Sequence, residues 1–158
     1  MSRLWYRQPA GFWEWEEALP VGNGRLGGMV YGRTDYERIQ LNEESIWYGK
    51  PLDRNNPDAL GNLEKIRELI FGGEIEQAEK LMLTALSGCP STQRTYQTLG
   101  DLYLISDLDT EQECKEFVRE LDLEKAICRA SFLQGDVRYE REVFVSKPED
   151  CMVIRFAA

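Results

Sequence analysis

Two periodicities divide the chain. From Arg38 to Asn42 apolar and polar residues alternate, and a period of two sets Ile39 and Leu41 on one face of a strand against Arg38, Gln40 and Asn42 on the other. The pattern predicts one buried and one polar face. Met29-Val30-Tyr31 precedes this run, and Gly32-Arg33-Thr34-Asp35 between them supplies the glycine and aspartate that tight turns favour, so the two segments predict a hairpin. The remainder of Met1 to Tyr48 reads as aromatic-rich strands and turns.

From Asn55 the period lengthens. Leu60, Leu63, Ile66, Leu69 and Ile70 recur at helical spacing, with Asn56 as N-cap, Pro57 at the first helical position, Asp58 at the positive end of the dipole and Gly72-Gly73 as the stop. A second helix is predicted over about Glu74 to Leu86, apolar at Ile75, Ala78, Leu81, Met82 and Ala85 and ended by Ser87-Gly88 and Pro90. Together they predict a helical hairpin over about residues 56–87, inserted between β segments.

After Pro90 the β pattern returns. Leu102, Leu104 and Ser106 alternate with Tyr103 and Ile105, and Lys125 to Leu133 and Val137 to Val145 flank the hairpin turn Gln134-Gly135-Asp136. Lys147-Pro148-Glu149-Asp150 makes another turn before the strand Cys151 to Phe156. That run stops without turn, cap or polar tail, as expected of a strand cut inside a larger domain. Such a strand leaves an open backbone edge and an apolar face through which copies of the chain would associate. No internal repeat or low-complexity tract is present.

Composition narrows the function classes. A chain of 158 residues suits one domain, large enough to bury roughly 68–70% of its unfolded surface. With 28 acidic against 19 basic residues and a net charge of -9, nucleic acid and anionic membrane are excluded as partners by repulsion. No apolar run reaches membrane-spanning length and the residues after Met1 have no signal-peptide core, so a cytoplasmic location is expected. Cys89, Cys114, Cys128 and Cys151 are widely spaced and histidine is absent, which removes the usual Cys/His zinc sites, histidine triads and Cys-His dyads. Four free thiols in a reducing compartment are expected, some acting as small hydrophobes on strands. No cofactor and no metal is expected.

Three motifs invite chemistry. Gly22-Asn23-Gly24-Arg25-Leu26-Gly27 satisfies the dinucleotide expression G-x-G-x-x-G, but Pro20 precedes it and a strand-like run follows where a helix N-terminus is needed, so a glycine-rich turn or bulge is the reading. Glu43 and Glu44 suggest a glycosidase pair, yet adjacent strand residues point to opposite faces and cannot flank one bond. Asp101, Asp122 and Glu142 fall at polar alternation positions and read as surface. Trp5, Trp13, Trp15 and Trp47 with Tyr6, Tyr31 and Tyr48 suit core and domain-interface packing, with sugar stacking as the other use of such rings.

The run Leu19 to Met29, "LPVGNGRLGGM", followed by Ile39 to Trp47, "IQLNEESIW", resembles the opening signature of the glycoside hydrolases typified by inverting α-L-fucosidases, glycoside hydrolase family 95. "YQTLGDL" from Tyr96, and "RELDLEKA" from Arg119 running into "YEREVFVS" up to Ser146, follow in the same order, so the resemblance covers nearly the whole chain. Ser45-Ile46 stands where Thr-Leu is more usual and Thr98 where proline is common, neither touching chemistry. The resemblance implies an all-β fold, part of an antiparallel β super-sandwich with the helical hairpin inserted. Residues 1–158 would then be the N-terminal domain of a larger enzyme that hydrolyses terminal α-L-fucosides, or α-galactosides in some members, with inversion. Its catalytic residues would lie in a later helical barrel of the same parent chain. That barrel would be the partner of this domain, and a fucosylated glycan would be met through the parent enzyme. No residue of this chain is assigned a catalytic role. Asn23, Arg25, Asn42, Glu43 and Trp47 carry the densest match and are expected to face the catalytic domain or lie near substrate. The alternative is a standalone carbohydrate-binding or interaction module.

Overall fold

A computed structural model describes residues 2–108 and 112–158. Its contacts divide into two units, residues 1–46 with 97–158, and residues 47–96. The first unit holds the strands β1 (Arg3–Tyr6), β2 (Leu19–Gly22), β3 (Leu26–Val30), β4 (Tyr36–Glu43), β5 (Gly100–Ile105), β6 (Cys114–Asp122), β7 (Ile127–Gln134), β8 (Val137–Ser146) and β9 (Cys151–Ala157). The second holds the helices α1 (Ala59–Phe71) and α2 (Ile75–Ala85). The predicted all-β fold with a helical hairpin is therefore what forms.

In the first unit two antiparallel sheets make a sandwich, one ordered β2-β3-β4-β5 and the other β1-β6-β7-β8-β9. Alternation chooses the inner faces: Leu19, Val21, Val30 and Ile39 from one sheet meet Leu121, Cys128 and Val143 from the other, with Leu41, Met152 and Ile154 around them. Cys128 behaves as a small hydrophobe, and burial pushes its thiol up to about 12, which makes it inert. The Gln134-Gly135-Asp136 turn joins β7 to β8 as expected, with Gly135 at φ 59°. Strand β6 is harder to read from sequence, because a bulge between Lys115 and Val118, with Glu116 at φ 50°, interrupts its alternation. Strand β9 lies at the edge of its sheet, paired with β8.

The polar face of β4 is partly covered: Arg38 is buried, its guanidinium over the rings of Tyr31 and Phe12 and bonded to Asp101. Two expectations need correction. Asp122 is not at the surface, being 4% exposed, because its carboxylate accepts the backbone N–H groups of Glu124 and Lys125 in the turn after β6. Nor is Asn56 the N-cap of α1. The helix begins at Ala59; Asn56 Oδ1 accepts from the Asp58 N–H in the preceding turn, while its amide nitrogen donates to the carbonyls of Thr84 and Ser87 and satisfies the end of α2.

Charge also reaches the interior. Glu37 of β4 is wholly buried, paired with Arg141 of β8 in the opposite sheet and accepting the Gly32 N–H at 2.8 Å. Arg119 of β6, 1% exposed, lies over the Tyr6 ring and donates to the Glu17 carbonyl at 2.6 Å. Gly32, at φ +70°, has no room for a side chain, since an added Cβ would sit 2.4 Å from Arg119 Cδ.

Candidate functional site

The glycine-rich run is a β-hairpin. Strands β2 and β3 pair from Leu19 opposite Val30 to Gly22 opposite Gly27, leaving Asn23, Gly24 and Arg25 as the tip. Asn23 builds that tip: its Oδ1 accepts the N–H groups of Arg25 at 3.0 Å and Leu26 at 2.8 Å, and Gly24 takes the positive φ of 101° that the turn needs. The nitrogens that a nucleotide phosphate would require are thus spent on the protein's own side chain.

The tip is clasped to two other segments. The Asn23 amide donates to the Ser146 carbonyl at 3.1 Å and to Asp150 at 2.9 Å, and Arg25 Nε donates to the other Asp150 oxygen at 2.7 Å. Arg25 also reaches Glu43 at the end of β4, at 3.1 Å, and the second oxygen of Glu43 accepts the Ser45 hydroxyl at 2.6 Å and the Ser45 N–H at 3.0 Å. Three of the five residues singled out from the sequence, Asn23, Arg25 and Glu43, therefore meet in one network. Asn42 is the neighbour of Glu43 on β4 and lines a groove on the sheet's outer face. Trp47 belongs to the other unit, where its ring meets Tyr96 edge to face at 4.9 Å. Sequence reading passed over Asp150, whose only local sign is its place in the turn before β9, at φ 51°.

Electrostatics fixes what this network can do. Bonds from Ser45, then Arg25, hold the Glu43 carboxyl below its ordinary range, and Asn23 with Arg25 does the same for Asp150. Both remain ionised at neutral pH, and Asp150 in turn holds the Arg25 guanidinium more firmly protonated. A depressed carboxyl contributes stability above its unfolded value and loses it as pH falls through the folded one. The clasp is accordingly expected to open on acidification below about pH 4, the unfolded carboxylate range. Carboxyl-carbon NMR titration reads this directly: Glu43 and Asp150 should titrate low in the parent chain and rise only part of the way in Arg25→Ala, since Ser45 and Asn23 still bond them. Among the described residues no group of three or more Asp, Glu or Cys side chains is placed to hold a metal ion.

The glycosidase-like motifs thus sit on a sandwich whose hairpins they build. The sequence model for the N-terminal domain of glycosyl hydrolase family 65 matches residues 4–158. The chain belongs to that family. Relatives of this N-terminal domain carry the fucosidase names implied by the motif resemblance. Alpha-L-fucosidase 2 of Arabidopsis thaliana is 36% identical over 145 residues, covering 91% of this chain and 17% of the plant protein. Probable alpha-fucosidase A of Aspergillus niger is 33% identical over 163 residues, covering 98% of this chain and 20% of its own. Its counterpart in Aspergillus oryzae is 24% identical over 161 residues, with 98% and 21% covered. The domain thus spans between 17% and 21% of the length of these relatives.

Proposed function

We propose that this N-terminal domain serves an enzyme that hydrolyses terminal α-L-fucosides with inversion, and that its part is to brace a separate helical-barrel catalytic domain and shape the mouth of its active site. The observation that carries the non-catalytic reading is the state of its carboxyls. Glycoside hydrolysis needs an accessible carboxylic acid with raised proton affinity beside a second carboxylate. Glu43, Asp122, Glu142 and Asp150 are all held low by hydrogen bonds, and Glu37, which burial raises, is sealed in the core against Arg141. Among the described residues, a sugar cannot reach this buried, raised carboxyl.

In this reading Asn23, Arg25 and Glu43 form a rigid corner that faces the catalytic barrel, with Asn42 and Trp47 as further contacts. The fucosylated glycan is met through the parent enzyme. The 158-residue chain alone should give no turnover of an aryl α-L-fucoside, whereas the full-length protein should turn it over and lose stability or kcat/KM in Trp47→Ala. Turnover by the isolated chain that vanishes in Glu43→Gln would overturn the non-catalytic role, and an unaffected Trp47→Ala would overturn the interface. The same preparation tests a corollary of the β9 edge, pairing of copies through that strand: light scattering should show mass rising with concentration, and a strictly monomeric mass would refute it.

A further inference from the structure

The outer face of the β2-β3-β4-β5 sheet is covered along part of its length by the segment from Ala10 to Ala18, whose two end residues are buried beside Tyr31. This segment is pinned from below. Arg38 donates to the Phe12 carbonyl at 2.6 Å, Arg119 donates to the Glu17 carbonyl at 2.6 Å, and Ala10 donates its N–H to the Tyr31 carbonyl at 2.9 Å. A single turn of tighter helix, Trp15–Glu17, follows from these anchors and closes with the Ala18 N–H on the Trp15 carbonyl at 3.1 Å. Trp15 is therefore held at a fixed place on the sheet while remaining 51% exposed. Leaving a tryptophan that exposed forgoes much of the apolar gain its burial would bring, and two buried arginines are committed to the segment that carries it.

Beside Trp15 lies a groove of about 350 Å³, near the lower end of the range of about 300–1,000 Å³ for small-ligand pockets. Pro20, Gly27, Met29, Gln40 and Asn42 line it with Trp15, and among the described residues no charged side chain does. Gly27 keeps the floor low. A Cβ there would meet nothing nearer than 3.6 Å, so the residue is not required by crowding, whereas at Gly28, on the opposite face, a Cβ would press Met152 at 2.7 Å and Ile39 at 2.9 Å. Gln40 and Asn42 stand two apart on β4 and so on the same face, and among the described residues neither carboxamide makes a side-chain hydrogen bond. Each offers both donors and an acceptor to whatever enters.

This combination selects a ligand. An anion would meet no cation in the groove and a chain of net charge -9. An aliphatic group would leave two carboxamides unpaired at the cost of their desolvation. A neutral ring with an apolar C–H face and a hydroxyl-bearing rim satisfies both the indole and the amides. We propose that this groove is a pyranoside-binding subsite, with Trp15 as its stacking wall and Gln40 and Asn42 as its hydroxyl readers. The site stands on these residues alone; only the choice of an L-fucoside as probe rests on the function proposed above.

Titration of the chain with methyl α-L-fucoside, followed by amide NMR and calorimetry, should show saturable binding in the millimolar range, as a few contacts on an open groove would give. Trp15→Ala should weaken it by about tenfold or more. Gly27→Leu should abolish it by filling the floor, and Gln40→Ala, at a half-buried position whose side chain makes no hydrogen bond among the described residues, should weaken it while the thermal unfolding transition stays in place. Methyl α-D-glucoside run in parallel separates a fucose-selective site from a general pyranoside site, both within the proposal. Absence of saturable binding to either sugar, or binding that survives both Trp15→Ala and Gly27→Leu, would overturn it. These measurements involve no hydrolysis, so their failure leaves the reading of the domain as part of a fucosidase standing, and failure of full-length turnover leaves the subsite standing.

Discussion

Arg141→Leu should lower the free energy of unfolding by about 3–5 kcal/mol, the cost of leaving a buried carboxylate without its partner. Glu37 is 0% exposed and its other contact of note is the Gly32 N–H at 2.8 Å, which cannot replace a guanidinium. Burial is the largest influence on the Glu37 carboxyl and raises it, with Arg141 pulling the other way. Removing Arg141 therefore raises it further. The sign of the pH dependence follows: a carboxyl raised in the folded state is destabilising while ionised, so the deficit of Arg141→Leu is full above the folded value and shrinks as pH falls through it. The double variant Glu37→Leu with Arg141→Leu should recover most of the loss, because a buried pair replaced by apolar groups is close to neutral. Urea unfolding of the three variants at neutral and mildly acid pH checks all of this. A loss below about 1 kcal/mol for Arg141→Leu, the scale of an exposed pair, would mean that water reaches Glu37.

Ile39→Ala should cost about 2–5 kcal/mol, and Ile39→Val about 0.5–1.5 kcal/mol. Ile39 is 0% exposed and sits where the two sheets meet, surrounded by Leu19, Val21, Val30, Leu121, Cys128 and Val143. Its Cγ2 also lies 2.9 Å from where a Cβ of Gly28 would stand, so the side chain leans on bare backbone in the neighbouring strand. Strand backbone cannot collapse into a hole as a side chain can, which places the loss toward the upper half of that range. Met152 is the residue able to relax into the space, being unbranched and adjustable. Midpoint shifts at unchanged denaturant slope, in the same urea series, would identify the loss as packing rather than a change in the unfolded chain. A loss under about 1 kcal/mol would show that the sheets close over the vacancy.

The helical hairpin, the turn at Gly135, the inward placement of Ile39 and Leu41 and the family motif were all legible in the chain. Each depends on neighbours a few residues apart: a period, a turn residue, a run of identities. Glu37 lies just before that alternating run and was not singled out, because a period alone gives no reason to bury a carboxylate. Of the clasp, Asn23, Arg25 and Glu43 had been singled out in the chain, while Asp150 had not, because it lies 125 residues from Arg25 in sequence.

What the sequence determined by itself is therefore which way each strand faces and where the chain turns, since both are set by backbone geometry and local side-chain chemistry. The tertiary structure alone decided the fate of the charges. Arg141 finds Glu37 across 104 residues, Arg119 finds the Glu17 carbonyl across 102, and Arg38 finds Asp101 across 63. Whether a charge at an inward or covered position is tolerated depends on an opposite charge or carbonyl arriving from a distant strand, and Coulomb energy is set by distance in space and by the dielectric around the pair. Neither quantity is written in the order of residues along one strand.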